Sequence, residues 1–183
     1  AGRGDYDLGS DEAGRTGEAE AGVTRLLAWA RDARPLPTAI ARYRDALAAL
    51  GGGTGRSRYP GSPLLAAHAL REGDRLAACE LQPEEATALR MLFARDARVG
   101  VHARDGYAAM SALLPPKEKH GLVLIDPPYE AQAAEFDLVL DALRSALARW
   151  PTGIYALWYP IKQRRTLHPF LRRAALLPAK QAL

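Results

Sequence analysis

The stretch Leu122-Val123-Leu124-Ile125-Asp126-Pro127-Pro128-Tyr129 sets an acidic group, two prolines and an aromatic ring directly behind four large apolar residues. The apolar run predicts a strand buried on both faces of a parallel sheet. Proline lacks an N–H and locks its own backbone torsion, so Pro127 and Pro128 end the strand and impose a stiff, extended exit. Asp126, the proline carbonyls and Tyr129 are thereby carried to the carboxyl edge of the sheet, where open α/β sheets bind ligands. The chemistry this set suits is methyl transfer to the exocyclic amino group of a base. That nitrogen is a weak nucleophile because its lone pair is delocalised into the ring. Acceptors for its hydrogens, the Asp126 carboxylate and a proline carbonyl, favour a more tetrahedral nitrogen and stabilise the positive charge that develops on it. Tyr129 could stack on a base swung out of its helix. The competing reading is a strand-ending turn that Asp126 merely caps.

Elements that position this loop follow from periodicity. Ala1-Gly2-Arg3-Gly4 has no initiator methionine before it and looks like the loop after a strand that is not present; its glycines would let the backbone approach a ligand closely. Val23, Leu26, Leu27 and Ala30 predict a helix from about Glu18 to Ala30, and Ile40, Tyr43, Leu47 and Leu50 a second one from an N-cap at Thr38 to Gly51. The two read as a basic hairpin. Ser62 as N-cap with Pro63 at the first helical position predicts a helix to Leu70, whose free N–H groups could receive a ligand carboxylate. A strand over Arg75–Cys79 ends at Glu80, which is either a cap or an acceptor for ribose hydroxyls. A helix over Pro83–Phe93, a strand over Arg98–Ala103 and a helix from Asp105-Gly106 to Leu114 follow. Asp105 is an ordinary N-cap or a side chain that also lies beside a bound adenine. After the loop come a long helix with Phe136, Val139, Leu140, Leu143 and Leu147 on one face, a strand over Gly153–Tyr159 and a helical basic segment, Lys162–Arg173. Alternation of strand and helix predicts an α/β fold with a parallel, doubly wound sheet.

With 183 residues, 48% hydrophobic and 25% charged, the chain fits one domain spanning residues 1–183. Its net charge of +4 and isoelectric point near 9.4 favour an anionic partner such as nucleic acid. Cys79, the single cysteine, excludes an internal disulfide framework and reads as a small buried hydrophobe in a reducing compartment. His68, His102, His120 and His168 lack ligand spacing, so no metal is expected. No membrane span or signal peptide is visible, and a cytoplasmic monomer is the expectation.

The segments Ala1-Gly2-Arg3-Gly4, Tyr59-Pro60-Gly61-Ser62-Pro63, Glu80-Leu81, Asp105-Gly106, Ile125-Asp126-Pro127-Pro128-Tyr129 and Thr152-Gly153-Ile154-Tyr155-Ala156-Leu157-Trp158-Tyr159-Pro160, in this order and spacing, resemble the bacterial 23S ribosomal RNA adenine-N6 methyltransferase family RlmJ. The resemblance runs to about Arg173. It implies a Rossmann-like fold, S-adenosylmethionine as methyl donor, 23S ribosomal RNA as partner and a helical insertion, matched here by residues of about 15–54. Carried over by position, it makes Asp126 catalytic and close to the cofactor, with Gly2, Ser62, Glu80, Asp105 and Gly106 as cofactor contacts and Pro127, Pro128 and Tyr129 facing the substrate. Relative to the family pattern, a His- and Lys-rich N-terminal segment, a first strand and a C-terminal part are missing, so the chain looks like a fragment. The absent first strand would lie between those ending at Glu80 and Asp126; without it, two unpaired edges should leave the isolated polypeptide poorly stable and inactive. A DNA adenine methyltransferase and a non-catalytic RNA- or nucleoside-binding module are the alternatives; intact Asp126, Glu80 and Asp105 favour an enzyme.

Overall fold

The structure, a computed structural model, describes residues 1–8, 20–32, 35–51, 58–129, 132–161 and 164–181. They form two compact units, Ala1–Ala103 and Arg104–Leu183.

In the first unit, β1 (Asp5–Asp7) pairs antiparallel with β2 (Arg58–Pro60), with Tyr6 opposite Tyr59. Neither strand is predicted by the sequence, because three residues carry no periodicity. An ion pair between Arg58 and Asp5 ties the ribbon. A π-helical turn (Glu20–Thr24) leads into α1 (Arg25–Asp32), and α2 spans Thr38–Ala49. The predicted apolar faces turn inward, with Ala30 and Leu47 buried. Thr38 is the first helical residue rather than the cap: Pro37 holds that position and its carbonyl accepts from Ala41 N–H at 3.0 Å. The start of the predicted insertion, the link at 33–34 and residues 52–57 lie outside the described residues.

Next, α3 (Ser62–Ala69) also begins one residue earlier than expected, with Gly61 at the cap and its carbonyl accepting from Leu64 and Leu65 N–H. Strand β3 (Leu76–Glu80), helix α4 (Pro83–Leu92) and strand β4 (Val99–Ala103) form a parallel strand–helix–strand unit, in register from Leu76 opposite Val99 to Glu80 opposite Ala103. Ala67, Ala78, Leu89 and Phe93 make its core. Cys79 is half-buried rather than buried, since its side chain lies off that core.

The second unit holds α5 (Gly106–Leu113), β5 (Leu122–Ile125), α6 (Gln132–Arg149), β6 (Ile154–Leu157) and α7 (Arg164–Ala174). β5 and β6 run parallel, Leu122 opposite Ile154 and Ile125 opposite Leu157. The five α6 residues expected on one face are all buried, and Phe136 stacks on Phe170 of α7 with ring centroids 4.1 Å apart. Val123 and Ile125 face this core. Leu122 and Leu124 do not: they are 62% and 54% exposed, so β5 is covered on one face only, contrary to the expectation of burial on both. The reason is that α5, α6 and α7 all contribute to the cluster on a single face of the ladder.

A continuous doubly wound sheet is not formed among the described residues. The ladders β3–β4 and β5–β6 are parallel, as the strand–helix alternation predicts, but among the described residues β3 and β5 each pair along one edge only. Among the described residues no helix is long and apolar enough to cross a membrane.

Candidate functional site

Two groups of candidate residues are assembled, one in each unit. In the first, the Gly-x-Gly segment is bound to the end of β3. Glu80 is buried, and its Oε2 accepts from the Ala1 nitrogen at 2.8 Å and Gly2 N–H at 2.6 Å, while Oε1 accepts from Gln82 N–H at 2.8 Å. Desolvation alone would push this carboxyl up. Hydrogen bonds from the Ala1 nitrogen and from Gln82 and Gly2 N–H outweigh it and hold Glu80 below the ordinary carboxyl value. Both oxygens are thus engaged by main-chain nitrogens, as the capping alternative requires: Oε2 carries two donors and Oε1 one, which leaves a single lone pair, on Oε1, for an outside donor.

Gly2 and Gly4 sit at φ 68° and 81°, in the region only glycine enters without strain. A Cβ on Gly4 would fall 2.7 Å from Leu89 and 2.8 Å from Leu92. Gly4 carbonyl accepts from Gly61 N–H at 2.9 Å, which sets the loop against the start of α3, where Ser62 is exposed. Arg3 forks onto the Glu85 carboxylate, with Nε donating at 3.0 and 3.1 Å. Gly2, Glu80 and the residue before Ser62 are therefore joined by direct hydrogen bonds to one loop.

In the second unit Asp105 is the N-cap of α5, accepting from Tyr107 N–H at 3.2 Å and Ala108 N–H at 2.9 Å. Gly106 is the first helical residue and is exposed. Tyr107 donates to Glu135 at 2.5 Å, pinning α5 to α6. Asp126 follows β5 with its surface exposed, and desolvation by the surrounding protein raises its carboxyl above the ordinary value. Pro127 is half-buried and Pro128 exposed.

Tyr129 departs from its expected place. It is 3% exposed, at φ 52°, with its ring edge-on to Phe136 at 5.5 Å and its hydroxyl donating to the Trp158 carbonyl at 2.8 Å. In this position the ring has no open face for a base. It closes the diproline loop onto the core instead, because an apolar ring with one satisfied polar atom is more stable inside than in water. Trp158, for which the sequence suggested no role, is the exposed aromatic beside the loop, 55% exposed and 5.9 Å from Tyr129 by ring centroid. Its placement directly after the apolar strand and two residues before Pro160 was the available signal.

Parallel strand–helix units, with acidic residues at the ends of β3 and β5 and an acidic-Pro-Pro-aromatic exit from β5, define an α/β protein. The chain belongs to the family described as ribosomal RNA large subunit methyltransferase D, RlmJ, whose model matches residues 1–181. It is 44% identical over 166 residues to a Haemophilus influenzae protein named ribosomal RNA large subunit methyltransferase J, covering 90% of this chain and 57% of the relative. An Escherichia coli protein of the same name is 40% identical over 167 residues, covering 91% of this chain and 58% of that one. A crystal structure of a Legionella pneumophila protein superposes with a TM-score of 0.86 at 35% identity, covering 98% of this chain and 64% of the other. The chain thus spans a little over half the length of the curated relatives it matches.

Proposed function

We propose that this chain carries the methyl-transfer machinery of an S-adenosylmethionine-dependent enzyme, on a Rossmann-like scaffold, that methylates N6 of an adenine in 23S ribosomal RNA in the cytoplasm. The observation that carries this reading is the placement of Asp126: an exposed carboxylate at the carboxyl end of a parallel strand, on an exit stiffened by two prolines and locked by the Tyr129–Trp158 hydrogen bond. Membership of a family named for ribosomal RNA methyltransferases supports the reaction class.

The residues of the first unit fit the methyl donor. Gly2 and Gly4 offer backbone that needs no Cβ, and Glu80 keeps one lone pair, on Oε1, at a strand end where ribose hydroxyls are ordinarily received. Ser62 at the start of α3 would offer its N–H to the donor's carboxylate; Asp105 and Gly106, which belong to the second unit, are the positions that the family resemblance assigns to the adenine. When bound, the donor supplies an electrophilic methyl on a sulfonium. The chain's own part is to orient the acceptor: Asp126 takes a hydrogen bond from the amino group, the Pro127 carbonyl takes the second, and charge growing on nitrogen is met by an acceptor already in place.

The test offers labelled methyl donor to the full-length gene product with protein-free ribosomal RNA, DNA and intact subunits in parallel. Label mapping to N6 of an adenine in the large-subunit RNA is expected. Label in DNA alone, or none in any of the three, would overturn the proposal.

A further inference from the structure

Helix α7, Arg164–Ala174, carries four arginines and no acidic residue. Its formal charge of +4 equals that of the whole chain, so the excess positive charge resides on these 11 residues and the remainder is balanced. Arg173 pairs with Asp137 of α6. Arg164, Arg165 and Arg172 are exposed, and among the described residues no carboxylate pairs with any of them. Four helical residues advance about 6 Å, so Arg164, the exposed His168 and Arg172 stand in one row with Arg165 beside it. Arg164 and Arg165 occupy the first turn, where the helix dipole disfavours cations, and no acidic residue offsets them there. Helix stability does not account for this placement; an anion from outside the chain would.

The row belongs to the end of the unit that carries Asp126. Phe170 stacks on Phe136 at 4.1 Å and Arg173 reaches Asp137, both in the first two turns of α6. Phe136 in turn meets Tyr129 of the diproline loop at 5.5 Å. Leu167 and Phe170 are buried, so the apolar face of α7 is spent on the core and is not offered to a lipid surface. What remains outward is a row of cations.

We propose that the outward face of α7, formed by Arg164, Arg165, His168 and Arg172, holds the phosphate backbone of the RNA that flanks the acceptor base. The inference rests on the function proposed above and names the surface that seats its substrate. Phosphate contacts fix register and orientation without reading sequence, and each neutralised phosphate releases counterions, so binding through this face is tight at low salt and weak at high salt. Guanidinium groups suit the task because their planar fork matches phosphate oxygens.

The experiment combines Arg164→Gln, Arg165→Gln and Arg172→Gln in the full-length gene product. A control removes the same charge from exposed arginines of the first unit, with Arg71→Gln, Arg90→Gln and Arg95→Gln. Binding to protein-free large-subunit RNA is measured without methyl donor over a range of salt, beside binding to phosphatidylserine vesicles, donor affinity and thermal midpoint. The α7 variant should bind RNA roughly tenfold to a hundredfold more weakly at near-physiological salt, with the slope of log affinity against log salt shallower by about 2–3. Donor affinity should be retained and the thermal midpoint held or raised, since two cations leave the first turn. The control should keep the parent's RNA affinity within about threefold, because net charge alone makes no site. An α7 variant with the parent's affinity and salt slope overturns the inference while the methyltransferase reading stands. So does a control that loses as much as the α7 variant, and so does a loss of vesicle binding with RNA binding unchanged. A parent that transfers methyl to no nucleic acid overturns the function proposed above, and the donor-free binding still decides the role of α7.

Discussion

The Tyr129 hydroxyl donates to the Trp158 carbonyl at 2.8 Å, joining the end of the diproline loop to the residue that follows β6. Burial, with Glu135 and Asp126 nearby, pushes the phenol up to about 12, so it stays protonated at neutral pH and remains a donor. Tyr129→Phe keeps the ring and loses one hydrogen bond, at a cost of about 1 kcal/mol. Tyr129→Ala opens a cavity against Phe136 and should cost roughly 3–5 kcal/mol. Denaturant unfolding of the two variants measures the gap; equal losses would show that the ring is not the packing element.

For Asp126→Ala the expected outcome is a fall in turnover of a hundredfold or more, about 3 kcal/mol of transition-state stabilisation, with donor affinity within about tenfold of the parent. Single-turnover rates and calorimetry check the two halves separately. Near-normal turnover would remove Asp126 from the mechanism.

The raised Asp126 pKa sets a pH dependence. Between the unfolded and folded values the folded chain binds the extra proton, so this group's contribution to stability falls as pH rises through that window. Catalysis needs the carboxylate, so the acidic limb of the parent's rate profile should lie above the ordinary value of 3.8. A limb at or below it would contradict the desolvation of the loop.

Glu80 titrates in the opposite sense. Its folded value lies below the ordinary 4.5, with Gln82 and Gly2 N–H among the donors that lower it, so its stabilisation is complete above 4.5 and is lost as pH falls through the lowered value. The difference in thermal midpoint between parent and Glu80→Gln should be widest at neutral pH and close across that range. Glu80→Ala should also weaken S-adenosylmethionine binding, which isothermal titration reads; unchanged affinity would leave Glu80 as a clamp on Gly2 alone.

Gly153 precedes β6, and a Cβ there would fall 2.7 Å from Cδ2 of the buried Trp150 ring. Gly153→Ala should therefore destabilise by roughly 1–3 kcal/mol through overpacking. Gly73, where a Cβ meets nothing within 4 Å, provides the control: Gly73→Ala should shift the thermal midpoint far less.

Much of this molecule was set locally. Four apolar residues ended by Asp126-Pro127-Pro128 marked β5 at the bounds observed, Leu122–Ile125, because proline stops a ladder whatever surrounds it. The buried face of α6 followed from helical spacing alone, and Asp105 capped α5 because a short carboxylate satisfies two orphan N–H groups wherever a helix begins. Tertiary structure decided the rest. The Asp5–Asp7 and Arg58–Pro60 ribbon joins residues too distant in sequence for any local pattern to pair them. Whether Leu122 and Leu124 were covered depended on which side of the ladder three helices took, and the apolar run reads the same either way. The position of Tyr129 is of the same kind. Residue type made its ring a candidate for stacking on a base, but packing against Phe136 sent it inward.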